Sequence, residues 1–513
     1  MSDNSANNKR IAKNTLLLYI RMLFLMLVSL YTSRVILNAL GVEDYGIYNV
    51  VGGVVTMFSM LSGSLSAAIS RFITFELGTG DIEKLKKVFS ASVTIQFGIS
   101  LVFVVVAETI GIWFLNNKME IPEGRLIAAN WCLQFSIMTF VINLLCVPYN
   151  ASIIAHEKMS AFAYISILDA VGKLVVAWCI ALSPVDKLIF YGFLMALIAW
   201  IIQFIYSLYC KRHFVECSYK FIYDNDLLKQ MFSFAGWNFF GAGSWQLMNQ
   251  GVNLLLNIYF GVTLNAARGI ATQVDHAVMN FVNNFTTAIN PQITKSYASG
   301  NREYMFELLF RGAKFSYFLI LLFAVPIICE THTMVKLWLK LVPEYAVIFI
   351  RLSILVSMIH ILSNTMITAM LATGNIKKYQ IIVGGLGMLV FPIAWMFFYL
   401  GYPPFMAYVS TLIIFIIQLI CRLYLMRAMI GMSINRYLKE VLFRVLIVSV
   451  ISFSLPLLSV FIFEQSIVRF VSVILLSIPL STITIVFVGM SINERLFIKN
   501  QIMTKICKMR LCQ

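Results

Sequence analysis

Residues 14–38, NTLLLYIRMLFLMLVSLYTSRVILN, are the first apolar run of the chain, and their length decides what kind of protein follows. A secretory signal has an apolar core of about 7 to 15 residues, whereas about 20 are needed to cross a hydrocarbon layer. The run therefore reads as a spanning helix, and no cleavable signal is expected. It carries Arg21 and Arg34, which fall on opposite faces of such a helix.

The rest of the chain repeats this pattern. Of 513 residues 60% are hydrophobic and only 12% charged, with a mean hydropathy of +0.85, against roughly 25% charged residues in a soluble domain. On the 20-residue scale the sequence predicts an all-α polytopic membrane protein with about fourteen spans: 14–38, 46–75, 88–114, 126–153, 160–183, 187–210, 232–258, 266–294, 306–329, 346–372, 379–401, 404–427, 441–463 and 467–490. The nine cysteines include no CxxC pair and most lie in apolar runs, so neither a disulfide framework nor a zinc site is indicated.

An even number of spans puts both termini on one side, and basic residues say which. With the N-terminus inside, 27 of the 39 Lys and Arg fall in or beside inner segments, 8 outside and 4 within spans. Both termini are therefore expected in the cytoplasm. The net charge of +16 is then an orientation signal plus a basic tail (Arg495, Lys499, Lys505, Lys508, Arg510) facing anionic lipid. Basic residues dispersed over short loops argue against a nucleic-acid partner.

The sequence also repeats itself at an offset of 220. Gly41-Val42 aligns with Gly261-Val262, SAAIS at 66–70 with TTAIN at 286–290, Gly80-Asp81 with Gly300-Asn301, and Lys158 with Lys378. Each copy holds six spans, an even number, so the repeats are parallel and related by an axis along the membrane normal. The expected organisation is an N-terminal six-helix lobe (1–210), a cytoplasmic linker (211–231), a second six-helix lobe (232–430), and an appendage of spans 13 and 14 with the tail (431–513). Two such bundles imply a central cavity, where transporters of this kind hold substrate.

Polar stripes suggest what lines it. In span 7, Gln246, Asn249, Gln250, Asn253 and Asn257 fall on one helical face. Span 8 presents His276, Asn280, Asn283, Thr287 and Asn290, and span 10 presents Ser353, Ser357, His360, Asn364 and Thr368. Such residues can be glue between helices, contributing about 0.6 kcal/mol each. Three or four turns of polarity on several helices exceed that need and favour a water-filled cavity. In span 2 the face Ser59, Gly63, Ser66, Ser70 is small, which suits close packing.

Charges inside spans are sharper signals, costing about 2.5 to 3.5 kcal/mol even on a lenient scale. Arg21, Arg34 and Arg71 are the cationic candidates; Arg34 and Arg71 lie nearer span ends, where snorkelling competes. Asp169 and Lys173 are spaced to neutralise each other as an i,i+4 pair, or to switch with an ion. Asp275 stands beside His276 without a partner on its own helix and could bind a coupling proton or sodium ion, or pair with Arg268. Arg268 and Arg351 are placed to anchor or to guard an exit. Asp224-Asn-Asp226 resembles a sugar-transferase DxD but stands where an N-cap belongs. No nucleophile with a base, and no metal-ligand spacing, marks an enzyme.

The segments RIAKNTLLLYIRM (10–22), SRVILNALGVEDYGIYNVVGG (33–53), NAARGIATQV (265–274) and NPQITKSYASGN (290–301) resemble bacterial polysaccharide transport proteins, the O-antigen and capsule flippases of the multidrug/oligosaccharidyl-lipid/polysaccharide (MOP) superfamily. The resemblance covers the whole chain and its 6+6+2 layout. It implies outward translocation of an undecaprenyl-diphosphate-linked repeat unit across the bacterial inner membrane by alternating access. Polysaccharide polymerase and chain-length machinery would be partners, and a proton or sodium gradient rather than a cofactor would drive the cycle. On this reading Arg21, Arg34 and Arg71 meet the diphosphate and the stripes of spans 7 and 8 meet the glycan. Asp275, Asp169 and Lys173 are the coupling candidates. The alternatives are an organic-cation antiporter of the same superfamily, which would want carboxylates in its first-half cavity, and a membrane-embedded glycosyl or acyl transferase.

Overall fold

The computed structural model describes residues 2–496 except 57–58, 119–120, 122, 181–182, 184, 221–223, 261, 340–341 and 493. Among these residues the chain is helical, without a strand. The helical stretch Ser2–Thr56 turns at Gly41 (φ 82°), which divides α1 (residues 2–40) from α2 (described over residues 42–56 and 59–79). Then follow α3 (Ile82–Asn117), α4 (Leu126–Ala155), α5 (Met159–Cys179), α6 (Lys187–His213), α7 (Asn225–Phe260), α8 (Val262–Ala298), α9 (Arg302–Leu339), α10 (Ala346–Ala372), α11 (Lys377–Tyr399), α12 (Met406–Ile430), α13 (Ile434–Ile462) and α14 (Ile467–Gly489). These are the fourteen expected helices. Several outrun their apolar segments because capping starts them earlier: Asp224 accepts the Leu227 N–H at 3.1 Å and opens α7 well before its hydrophobic part.

Ten helices, α3–α6 and α9–α14, are long and apolar enough by themselves to cross a membrane. Among the described residues Asn14–Ser29 of α1 is a shorter apolar helix, and α7 and α8 fall short of the same mark. At the 220-residue offset α1 corresponds to α7 and α2 to α8. The repeat is also visible in backbone geometry. Gly80 and Gly300 both take left-handed φ (78° and 76°) at the ends of α2 and α8, as a helix C-terminus requires of a residue without Cβ. The next residues cap the following helices alike: Asp81 accepts the Lys84 N–H at 3.0 Å, and Asn301 the Tyr304 N–H at 3.3 Å.

By contact density the chain forms two compact units. The first comprises Met1–Gly243, Thr287–Met305 and Leu371–Gln380. At the α4–α5 turn Glu157 adopts φ 58°, unusual for a residue with a side chain. Its carboxylate is fully buried and accepts Lys295 Nζ at 2.9 Å, Gln292 Nε2 at 2.7 Å and Arg10 Nε at 2.8 Å, while its carbonyl accepts Asn14 Nδ2 at 3.3 Å. One turn thus fastens α1, α4 and the end of α8. The repeat-related turn between α10 and α11 is held differently. Arg71 of α2 donates to the Ala372 carbonyl at 2.8 Å and is wrapped by Phe72, Phe75 and Phe234. Gly374 has φ 77°, and a Cβ there would lie 2.6 Å from Arg71 Nη2, so both conformation and space demand glycine.

At the loops away from the termini, Arg125 binds Asp44 and Asp186 together. Burial alone would raise the pKa of Asp186, but the Arg125 guanidinium and the N–H groups of Ile189 and Leu188 outweigh it and hold it below the ordinary carboxylate value. A depressed carboxylate stabilises above its unfolded pKa and loses that contribution as pH falls through its folded one. Arg125→Ala is therefore expected to cost about 1–2 kcal/mol near neutral pH, a cost that shrinks on acidification below about pH 4. Thermal midpoints at the two pH values test this, with Lys86→Ala in the exposed Glu83 pair as the neutral control.

The second unit comprises Ser244–Thr286, Phe306–Met370 and Ile381–Gln513. One face of α7 (Met248, Val252, Leu255, Leu256) is buried against Val390, Ala394 and Phe398 of α11 and Ile414 and Phe415 of α12. The segment of the last helix is fastened to α9 by buried ion pairs near both its ends: Arg469 Nε of α14 to Glu330 Oε1 at 2.6 Å, and, just beyond α14, Glu494 Oε2 to Lys314 Nζ at 2.7 Å.

Candidate functional site

With its apolar face committed to α11 and α12, α7 turns its amides the other way. A cavity of about 490 Å³ opens there, within the second unit, walled by α7, α8, α10 and α12. From α7 come Trp245, Gln246, Asn249, Gln250 and Asn253; from α8, Arg268, Thr272, Asp275, His276 and Asn283. Ser353, Ser357 and His360 of α10 and Tyr408, Thr411 and Phe415 of α12 complete it. Stripes read on three separate spans thus converge on one hollow. Asn257, Asn280 and Thr287 are not among its walls; Asn257 and Asn280 are exposed elsewhere on their helices and Thr287 is half-buried.

Two charges define the cavity. Ser357 Oγ donates to Asp275 Oδ1 at 2.5 Å, so the carboxylate finds its partner on α10 rather than in Arg268. Arg268 instead donates through Nη2 to the Asn249 carbonyl at 3.0 Å and lies 5.9 Å from the Tyr408 ring centroid. Its other amino group, Nη1, is buried without a hydrogen-bond partner among the described residues, a costly state that an incoming acceptor would relieve. Amides line the space between: Asn249 Nδ2 donates to the Trp245 carbonyl at 3.0 Å and Asn253 Nδ2 to Gln250 Oε1 at 3.2 Å. Opposite, Trp245, His360 and Phe415 form an aromatic wall with centroids 5.3–5.9 Å apart. Aromatic faces beside amide donors and acceptors suit the apolar and hydroxyl faces of a sugar ring.

The other expected site residues are placed in the first unit. Arg21 sits 4.3 Å from the Phe162 ring centroid in a cation–π contact. Arg71 is engaged by the Ala372 carbonyl. The side chain of Arg34 lies outside the described residues. Lys173 Nζ and Asp169 Oδ2 are 2.7 Å apart, partly exposed, as their i,i+4 spacing suggests. Sequence reading missed the aromatic wall, because in an apolar chain Trp245, Tyr408 and Phe415 look like core. The spacing of Tyr408, Thr411 and Phe415 on one face of α12 was the available signal.

Comparison with known proteins gives a consistent result. The profile described as "Polysaccharide biosynthesis protein" matches residues 11–298, more than half of the chain. The "Uncharacterized membrane protein EpsK" of Bacillus subtilis (strain 168) is 20% identical over 287 residues, a match spanning 54% of this chain and 55% of that relative. Among solved structures, a MATE transporter in complex with MaD3S superposes with a TM-score of 0.70 at 13% identity, over 83% of this chain and 97% of that one. A MOP-superfamily transporter from Pyrococcus furiosus Vc1 (DSM3638) gives 0.67 at 14% identity, over 84% and 96%. A multi-pass chain of fourteen helices with repeated caps, carrying this profile, belongs to the polysaccharide biosynthesis protein family and has the fold of MOP-superfamily transporters.

Proposed function

We propose that the protein is a flippase that moves an undecaprenyl-diphosphate-linked oligosaccharide, an O-antigen, capsule or exopolysaccharide repeat unit, across the bacterial inner membrane by alternating access. The observation that carries this reading is the composition of the cavity: amides, hydroxyls and aromatic rings beside one arginine with an unpartnered amino group. In it Gln246, Asn249, Asn253, His276 and Asn283 bind glycan, and Arg268 joins the sequence candidates for the diphosphate. Arg21 and Arg71 meet an anion only after leaving Phe162 and the Ala372 carbonyl, so their use requires a different conformation from this one. Asp275 binds the coupling proton or sodium ion, with Asp169 and Lys173 second. Both termini face the cytoplasm, and the polymerase and chain-length machinery take the product. The role is transport, not catalysis; product formed by the purified protein from a soluble sugar or acyl donor would contradict that.

An organic-cation antiporter is the second reading, favoured by Asp275 lining the same cavity as the rings of Trp245 and Tyr408. Complementation of surface polysaccharide in flippase-deficient strains separates the two. Asn253→Leu is expected to reduce polysaccharide several-fold, to an extent that differs between glycans, at unchanged protein level. Unaltered polysaccharide together with lost resistance to cationic drugs would establish the antiporter instead.

A further inference from the structure

A second hollow, of about 670 Å³, lies within the second unit where α13 begins and α14 ends. Lys439, Arg444 and Arg495 line it. The carboxylates near them are already committed. Glu494 accepts Lys314 Nζ at 2.7 and 3.0 Å and the Ser491 N–H at 2.7 Å, with Arg311 Nε at 3.6 Å. Glu440 is held by Arg436 at 2.8 Å. Among the described residues Arg444 donates to the Gly489 carbonyl at 3.4 Å, and Arg495 to the Phe487 and Met490 carbonyls at 2.7 and 3.1 Å. Those carbonyls end α14 and neutralise no full charge. Around one buried glutamate there is thus a surplus of cations, and Arg444 and Arg311 both act electrostatically on Lys314.

Such a surplus where two apolar segments end calls for an anion. The rim says which kind. Phe443 and Ile492 line the hollow and are 64% and 71% exposed, and Leu446 beside them is 62% exposed. An anion with an apolar body fits both features, whereas free phosphate uses only the charges.

We propose that this hollow between α13 and α14 binds the phosphate headgroup of an anionic phospholipid, with Lys439, Arg444 and Arg495 on the phosphate and Phe443 and Ile492 against its acyl chains. The site is separate from the cavity of α7, α8, α10 and α12 and does not depend on what that cavity carries.

The test is native mass spectrometry of the full chain in detergent, titrated with phosphatidylglycerol, phosphatidylcholine or inorganic phosphate. Phosphatidylglycerol is expected to bind at least about tenfold more tightly than phosphatidylcholine, and millimolar inorganic phosphate not to displace it. Removing each basic residue is expected to weaken it about fivefold. Lys439→Gln, at an exposed position, leaves folding intact and reads one step; Arg444→Gln with Arg495→Gln reads the remainder; Arg212→Gln on α6, which does not line the hollow, leaves binding unchanged. Equal retention of the two lipids by the wild-type chain, no weakening in Lys439→Gln, or full displacement by inorganic phosphate would each overturn the proposal.

Discussion

Glu157→Ala is expected to destabilise the purified protein by about 3 kcal/mol, the magnitude associated with removing one member of a buried ion pair. The carboxylate is fully buried between Lys295 and Arg10, and its loss leaves two cations and the Gln292 amide facing each other. Arg10 is half-exposed and contributes least. The backbone adds a second effect, since alanine at φ 58° keeps the strain of the left-handed conformation. Glu157→Gly relieves that strain while deleting the same carboxylate, and is expected to be about 1 kcal/mol less damaging than alanine. Denaturation midpoints order the variants as wild type, glycine, alanine. A stability equal to wild type in Glu157→Ala would show that the α4–α5 turn is not a fastening at all.

The two charges of the cavity are expected to govern different quantities. Arg268→Ala removes the one guanidinium that lines the cavity and should lower flippase complementation at least about tenfold, the loss of a charge-assisted hydrogen bond being about 1.5–3 kcal/mol. Arg268→Lys keeps the charge but not the fork and should retain part of the activity. Asp275→Asn keeps the hydrogen bond from Ser357 and the cavity shape, so polysaccharide export should persist but lose its response to the ion gradient. Uptake into everted vesicles with and without an imposed proton or sodium gradient separates the two. Full activity in Arg268→Ala, or an undiminished gradient response in Asp275→Asn, would remove that residue from the proposed mechanism.

Properties that depend on local pattern were legible in the sequence. Spans followed from apolar length, and the repeat followed from loop landmarks such as Gly80-Asp81 and Gly300-Asn301, which prove to be matching helix stops and caps. The convergence of polar faces from α7, α8 and α10 was foreshadowed because helical periodicity tells which side chains share a face. What could not be read is who meets whom across long separations. Asp275 and Ser357 are 82 residues apart, and Arg71 and Ala372 are 301 apart. Periodicity reveals Arg71 as a charge within a span but not the backbone carbonyl that engages it in this structure. Glu157 drew no notice at all, since an acidic residue in a short loop is ordinary until its burial is known.

During synthesis Glu157 leaves the ribosome 135 and 138 residues before Gln292 and Lys295. At a typical 5–20 residues per second the carboxylate waits on the order of ten seconds with only Arg10 and Asn14 for company. Arg71 waits longer still, until the Ala372 carbonyl has been made. The first compact unit therefore cannot be finished when its own six helices have been inserted; its last pieces, Thr287–Met305 and Leu371–Gln380, arrive only as the second repeat is being translated. Assembly of this molecule is interleaved rather than sequential, and a chain cut after α6 is an incomplete body with a buried acid short of its bases.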